Sequence, residues 1–156
     1  DPEGYLFQRL LASYAPTARA FPPNPPAATE VLMRLVELDI GNFDMSGSFD
    51  CSFWLQLSWQ DMRLVWHEAE YDGSLRWPAK SVWTPTVLLV NVKTPDAFLH
   101  TSPVTITRDG WLSIEHHIQG TFTCDINSAA HPFSIHTCGI RIATVLERHE
   151  VLLIPT

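Results

Sequence analysis

Two cysteines, Cys124 and Cys138, bracket thirteen residues, and this stretch constrains the fold more than any other part of the chain. Strand-like sequence lies on both sides of it, at 111–118 and 139–146. If the two cysteines pair, they close a loop of about fifteen residues, which the chain-entropy treatment values at roughly 3 kcal/mol. An ordinary structural disulfide in a secreted β domain would produce the same spacing. The spacing alone therefore does not show whether the loop has any further role.

The composition is that of a globular protein, and the net charge argues against some classes of partner. Of its 156 residues, 46% are hydrophobic and 17% are charged, a balance that supports one domain with a real core. The net charge of -7 argues against nucleic acid and against an anionic membrane surface, because both attract basic patches. No apolar run approaches the 18 or so residues that cross a bilayer. No secretory signal is visible, so we expect a mature chain or an excised domain.

The N-terminal part of the chain is predicted to be a helix followed by a connector. Residues 4–14 carry apolar side chains at the i, i+3, i+4, i+7 spacing of a short amphipathic helix. Residues 16–26 contain five prolines and are interpreted as an extended connector. A β-branched and aliphatic strand follows at 29–40. We expect residues 29–156 to form the body of a single domain that spans 1–156.

The clearest strand pattern lies within 51–66, where apolar and polar residues alternate. Period two gives one apolar face and one polar face. Trp54 breaks the pattern, because it is a large aromatic on the face that Gln56, Ser58 and Gln60 otherwise occupy. A tryptophan on such a face favours a partner surface, such as a ligand or another subunit. Packing beneath a local loop is the ordinary alternative.

Short strands and frequent turns fill the rest of the chain. An Asp-Gly turn within 104–118 predicts a hairpin. A short buried strand is expected at 87–90, a loop at 91–103 and a last strand at 151–154. Many short strands with turns every eight to twelve residues, after one leading helix, predict an all-β fold. The expected architecture is an immunoglobulin-like β-sandwich with a short N-terminal α-helix.

Three motifs resemble one receptor family. The stretch W-L-Q-L-S-W-Q-D-M-R-L-V-W matches the pattern W-x-x-x-x-W-x-D-x-R-L-x-W at every fixed position, namely Trp54, Trp59, Asp61, Arg63, Leu64 and Trp66. The cysteine pair encloses His131-Pro132-Phe133-Ser134 where the family has aromatic-Pro-aromatic-Asp, and Trp83 with Pro85 matches its W-x-P motif. On these motifs the chain resembles, over nearly its whole length, the extracellular ligand-binding domain of the Cys-loop receptors. These are the pentameric ligand-gated ion channels, and the soluble acetylcholine-binding proteins share the domain.

The resemblance implies a disulfide, a location and a site. It implies that Cys124 pairs with Cys138, that the chain is extracellular or secreted, and that it assembles as a homopentamer. In the family, small amine-type ligands bind between neighbouring subunits, where aromatic side chains box the cation. The complementary side of such a site would be supplied by Trp54, Gln56, Ser113 and Glu115.

Departures from the family pattern fall on the principal side of that site. Val90 and Val145 stand where the first and second binding loops of the family carry aromatics. The third binding loop would lie beyond Thr156, so we expect a chain truncated before the last two strands, with an open edge on the outer sheet. A conventional acetylcholine box is therefore not expected.

The remaining reactive side chains suggest no further chemistry. His116 and His117 are adjacent, so on a strand they point to opposite faces and cannot share an ion within one chain. We expect no metal site and no cofactor; a zinc site would most readily form between subunits. The common hydrolase, P-loop and dinucleotide motifs do not occur, so we expect no enzyme. Cys51, the odd thiol, is interpreted as buried or half-buried, with an intersubunit disulfide as the alternative.

Two hypotheses follow for the function. The first is an extracellular ligand-binding domain of a pentameric ligand-gated ion channel, or a soluble relative, with a degraded agonist box. The second is a structural or assembly module that forms a pentameric ring without neurotransmitter binding. Val90 and Val145 favour the second hypothesis, whereas the retained Trp54 favours the first. Neither involves nucleic acid or a membrane segment in this chain.

Overall fold

The computed structural model describes residues 1–24, 27–127, 135–146 and 150–156. Within these ranges the chain forms one α-helix, a single 3-10 turn and eleven strands. Their bounds are α1 (Pro2–Leu11), β1 (Thr29–Asp44), β2 (Ser48–Gln60), β3 (Leu75–Trp77), the 3-10 turn (Ala79–Ser81), β4 (Val87–Leu89), β5 (Phe98–Thr101), β6 (Val104–Ile106), β7 (Trp111–Thr123), β8 (Asp125–Asn127), β9 (Ile135–Thr137), β10 (Ile142–Thr144) and β11 (Val151–Pro155).

Seven strands form one sheet with long antiparallel pairs at its centre. The order is β11-β1-β2-β7-β6-β3, and β5 also pairs with β7. Strands β4 and β10 form a second ladder, and β8 and β9 a third. The inward side chains of β2 and β7 supply much of the core, including Phe53, Leu55, Leu57, Trp59, Leu112, Ile114, Ile118 and Phe122. This arrangement confirms the predicted all-β sandwich with one short N-terminal helix.

The helix ends three residues earlier than predicted. The side chain of Asp1 caps it by accepting a hydrogen bond from the Glu3 N–H at 3.2 Å. Leu6 and Leu10 are buried beneath it, as the apolar stripe requires. The stripe also included Tyr14, but this side chain leaves the helix to bond the sandwich. Tyr14 fits the apolar spacing of the helix, but it lies beyond the last helical residue and takes part in a tertiary contact.

Strand β2 begins earlier and ends earlier than the predicted 51–66. Its alternation is confirmed, since Phe53 and its inward neighbours are buried and the intervening residues are half-buried. The strand ends because Asp61 turns the chain, with its carboxylate accepting from the Arg63 N–H at 3.1 Å and its carbonyl from the Leu64 N–H at 3.0 Å. An aspartate that bonds the backbone two residues onward is a typical turn former.

The carboxylate of Asp61 is the centre of a buried network at this turn. Asp61 is fully buried and accepts from the Arg63 guanidinium at 2.8 Å. It also accepts from the Tyr14 hydroxyl at 3.0 Å and the Phe21 N–H at 3.3 Å. The guanidinium lies over the Tyr14 and Phe21 rings, 4.1 and 4.7 Å from their centroids. Mainly through burial, the pKa of Tyr14 is raised to about 12, so its hydroxyl stays protonated.

Other strand boundaries differ where pairing partners lie far away in the sequence. Strand β1 runs on from the predicted 29–40 to Asp44, and β7 from 118 to Thr123, because each remains paired with β2. The predicted loop 91–103 contains β5, whose partner is also β7. The strand expected within 139–146 is confined to β10 and its pairing with β4.

The hairpin between β6 and β7 is confirmed, and its turn depends on Gly110. The Gly110 N–H donates to the Thr107 carbonyl at 2.9 Å, and Gly110 has a φ of 82°. A Cβ at this position would lie 2.8 Å from the Asp61 carbonyl oxygen. The glycine therefore permits both the left-handed turn and its close approach to the end of β2.

Candidate functional site

A polar strip with one tryptophan lies on the outward side of the two central strands. In the register of β2 and β7, Trp54 faces His117, Gln56 faces Glu115 and Ser58 faces Ser113. Opposing residues of an antiparallel pair share a face of the sheet. The four sequence-predicted binding residues are thus brought onto one contiguous surface. We call this surface the Trp54 face, defined by Trp54, Gln56, Ser58, Ser113, Glu115 and His117.

A groove of about 370 Å³ lies at the end of the Trp54 face that points toward β6. Three of the four predicted residues line it, and Trp54 does not. The groove is bordered by Gln56, Ser58, Arg76, Ser102, Pro103, Thr105, Ser113, Ile114 and Glu115. The groove is open and mostly polar. Its lining includes the Arg76 guanidinium and the Glu115 carboxylate, which suits a small polar ligand.

The carboxylate of Glu115 is held in place within the groove. The Gln56 amide donates to its Oε1 at 3.0 Å. The backbone of Glu115 is tied to Ser102, whose hydroxyl accepts from the Glu115 N–H and whose N–H donates to the Glu115 carbonyl, both at 2.9 Å. Arg76 makes no ion pair with any residue that the structure describes. The groove therefore offers a carboxylate held by Gln56 and an exposed guanidinium that has no ion pair among the described residues.

Trp54 has intramolecular partners, one of which covers a face of its ring. Its indole stacks on the His117 imidazole, with centroids 4.6 Å apart and planes 12° from parallel. The His100 ring meets it edge-on at 6.3 Å. The side chain is half-buried. The sequence predicted that Trp54 would find a partner, and within the chain the partners are two imidazoles.

Arg76, His100 and His117 are among the side chains at this site that were not predicted from the sequence. Counting two residues on from Glu115 along β7 would have placed His117 on the same face as Ser113 and Glu115. Arg76 and His100 lie on other strands, and their positions depend on register that a single sequence does not reveal. His100 is especially obscure because β5 has a register shift between Phe98 and His100.

The two valines expected on the principal side lie at the ends of the β4–β10 ladder. Val90 and Val145 are 57% and 59% exposed. The Val90 N–H donates to the Arg141 carbonyl at 2.8 Å, and the Val145 N–H to the Thr86 carbonyl at 3.3 Å. Both side chains therefore present small aliphatic surface to solvent.

The structure pairs Cys124 with Cys138, whose Cα atoms are 4.3 Å apart. Asn91 ties the same two chain segments together, because its amide donates to the Thr123 carbonyl at 2.9 Å and the Gly139 carbonyl at 2.7 Å. Between the cysteines, the family-like core at 131–134 lies outside the described residues. The ends of the loop are thus held covalently and by hydrogen bonds.

Cys51 is unpaired and buried at 3% exposure in the core side of β2. Burial raises the pKa of its thiol, and the negative charge of Asp39 raises it further. A thiol so placed cannot meet a cysteine of another chain unless β2 moves, which favours the buried interpretation over an intersubunit disulfide.

We expect Cys51 to react slowly with iodoacetamide at pH 8 in the folded chain and rapidly in urea. A raised pKa leaves less thiolate at that pH, and the thiolate is the nucleophile. Mass spectrometry of quenched samples measures the rate, with free cysteine in the same solution as the reference. A folded chain alkylated as fast as free cysteine would contradict the buried assignment.

The described residues show two further absences. No group of three or more histidines, cysteines or carboxylates among them is placed to hold a metal ion. No helix in the described ranges is long and apolar enough to span a membrane.

The structure thus combines an all-β sandwich behind a short helix, a loop closed by a disulfide and an outward tryptophan beside a polar groove. The family model for the neurotransmitter-gated ion-channel ligand binding domain matches residues 3–153. The chain belongs to this family, which is a family of receptors and not of enzymes.

Individual relatives agree with the family assignment. The chain is 26% identical to the neuronal acetylcholine receptor subunit alpha-6 of Mus musculus over 148 residues, which cover 92% of the chain and 30% of that protein. It is 35% identical to the acetylcholine receptor subunit beta of Rattus norvegicus over 100 residues, or 58% of the chain and 19% of that protein. The chain is 25% identical to ligand-gated ion channel 4 of Caenorhabditis briggsae over 118 residues, which cover 73% of the chain and 18% of that protein. The chain spans less than a third of the length of these relatives.

Proposed function

We propose that this chain is an extracellular ligand-recognition domain whose Trp54 face forms the complementary half of a small-ligand site between neighbouring subunits of a homopentamer. One observation carries the proposal: Trp54, Gln56, Ser113 and Glu115 share one face of two paired strands. These residues come from two separate parts of the sequence. Their convergence beside an open polar groove supports a shared role.

Charge and aromatic surface suggest how the ligand would be held. The Glu115 carboxylate, fixed by Gln56, would attract a ligand cation, while the Trp54 indole offers a π surface. A neighbouring subunit would have to supply the other wall, because the groove is open to solvent. A ligand at this junction would shift the packing of the two subunits, which is how recognition becomes a conformational signal.

Affinity for a cationic ligand is expected to be low. Each aromatic ring around a cation contributes about 0.5–2 kcal/mol, and valines at 90 and 145 contribute no such term. His117 also covers one face of the Trp54 ring, so a ligand must use the other face or displace the imidazole.

We expect acetylcholine at about millimolar concentration to change the tryptophan fluorescence of the chain in a saturable way. Trp54→Phe should abolish the change, because it removes the reporting indole at the site. Trp111→Phe is the matched control: Trp111 is 39% exposed on the same sheet, and its partner in the register is Gln60, six residues along β2 from Trp54. Its response should equal that of the unaltered chain.

Two outcomes of this titration would contradict the proposal. One is no response from the unaltered chain at millimolar acetylcholine and at the same concentration of other small amines. The other is an equal response in Trp54→Phe, which would place the ligand elsewhere.

A second candidate function is an assembly module that forms the ring without binding neurotransmitter. The exposed aliphatic surface at Val90 and Val145 favours it, because such surface suits packing between proteins better than capture of a cation. The two candidates differ in the titration and agree on the native mass. A ring of five copies that never responds to amines would support the second.

A further inference from the structure

Two histidines meet across paired strands next to Trp54. His100 of β5 and His117 of β7 are direct partners in the antiparallel register. The Trp54 indole contacts both rings, stacked on His117 and edge-on to His100. No metal was expected from the sequence because the adjacent His116 and His117 point to opposite faces. In the fold a different pair, His100 and His117, lies on a single face of the sheet.

The ring nitrogens of this pair are available. Neither His100 nor His117 has a ring hydrogen bond to any residue that the structure describes, and His100 is exposed while His117 is half-buried. His116 differs, because its Nδ1 lies 2.9 Å from the Thr101 hydroxyl and its ring packs edge-on against Phe98 at 5.3 Å. The stack on Trp54 covers a ring face of His117, which leaves both nitrogens at the ring edge free to bind.

The spacing of directly opposed strand residues suits a shared ion. Their Cβ atoms lie about 4.5–5.5 Å apart, so two imidazoles can bend toward one metal at about 2.0–2.1 Å from each nitrogen. Imidazole nitrogen is a preferred ligand for zinc, copper and nickel. Because Trp54 limits the rotation of the His117 ring, one ligand is already oriented before the metal arrives.

We propose that His100 and His117 form a two-histidine site for a divalent transition-metal ion at the edge of the Trp54 face. The described part of the chain supplies no third ligand. Water or a neighbouring subunit fills the remaining positions, and the affinity is modest. The Glu115 carboxylate lies two positions from His117 along β7 on the same face, and its negative charge favours a bound cation. It is also hydrogen-bonded to the Gln56 amide.

A bound ion would also act on the ligand site. It places positive charge beside the Trp54 ring and therefore weakens the binding of a cationic ligand there. This consequence rests on the proposed function, whereas binding of the metal does not.

The test is titration of the chain with Cu²⁺, which quenches nearby tryptophans, followed by reversal with excess Zn²⁺ or a chelator. We expect saturable quenching that disappears in Trp54→Phe. In His100→Gln the apparent Kd should rise at least about tenfold, a loss of about 1.4 kcal/mol of binding free energy. His67→Gln is the matched control, because His67 lies in an exposed turn away from this face, and it should bind like the unaltered chain.

Calorimetry with Zn²⁺ provides a second readout that needs no tryptophan. We expect one ion per chain, lost in the double variant His100→Gln/His117→Gln, while circular dichroism verifies that the variant is folded. Unchanged quenching and unchanged zinc binding in the double variant would overturn the proposal, as would the absence of saturable binding to the unaltered chain. Metal binding without any amine response would sustain the metal site and count against the proposed function alone.

Discussion

Replacing Asp61 with alanine is expected to lower the free energy of unfolding by about 3–5 kcal/mol. The substitution leaves the Arg63 guanidinium, which is only 14% exposed, without its counter-charge. It also removes the acceptor for the Tyr14 hydroxyl and the Phe21 N–H. These groups come from the helix end, the connector and the turn after β2, so the loss would loosen the attachment of the N-terminal segment to the sandwich.

Urea unfolding followed by tryptophan fluorescence measures the effect, provided that the slope of the transition is unchanged. Asp72→Ala is the matched control, since Asp72 is 88% exposed and lies 3.8 Å from Arg108; it should change stability by less than about 0.5 kcal/mol. If Asp61→Ala does not fold, Asp61→Asn keeps the shape and part of the hydrogen bonding and should show a smaller loss. Equal midpoints for Asp61→Ala, Asp72→Ala and the unaltered chain would refute a structural role for the network.

Removing the Cys124–Cys138 disulfide is expected to cost roughly 3 kcal/mol, the chain-entropy value for a loop of about fifteen residues. The folded state should persist if the free energy of unfolding exceeds this loss, because Asn91 still bonds the segments on both sides of the loop. The double variant Cys124→Ser/Cys138→Ser should therefore unfold at lower urea concentration but keep its far-ultraviolet circular dichroism.

Reductant provides the control for this second prediction. It should lower the midpoint of the unaltered chain to that of the double variant, and it should leave the double variant unchanged. Cys51 does not complicate the comparison, since both proteins contain it. An unaltered chain that is insensitive to reductant under denaturing conditions would show that the two cysteines are not paired.

The fold class was accessible from sequence because alternation is a local property. In β2 the pattern around Phe53 correctly separated core from surface. Boundaries were less accessible because tertiary contacts decide them. Tyr14 fitted the helical stripe and yet serves the Asp61 network, and Asp61 ends a strand whose pattern continues toward Trp66. β5 was predicted to be a loop because its pairing with β7, and not its composition, makes it a strand.

The candidate site was accessible through the resemblance to the receptor family, which placed Trp54, Gln56, Ser113 and Glu115 position by position. Alternation along one strand does not give the register between β2 and β7, in which Gln56 and Glu115 face each other and form a hydrogen bond at 3.0 Å. His100 could not be placed, because its position depends on the register of a third strand with an irregularity. The stack of Trp54 on His117 likewise depends on side-chain rotation that no pattern specifies.

The most direct test of a binding site shared between subunits is the native mass of the purified chain by light scattering. The chain weighs 17.6 kDa, and a site between neighbouring subunits requires an assembly. We expect a particle of about five times the chain mass, with Trp54 shielded from aqueous quenchers such as iodide. A monomer at every concentration tested, with Trp54 as accessible to iodide as Trp111, would contradict the shared site.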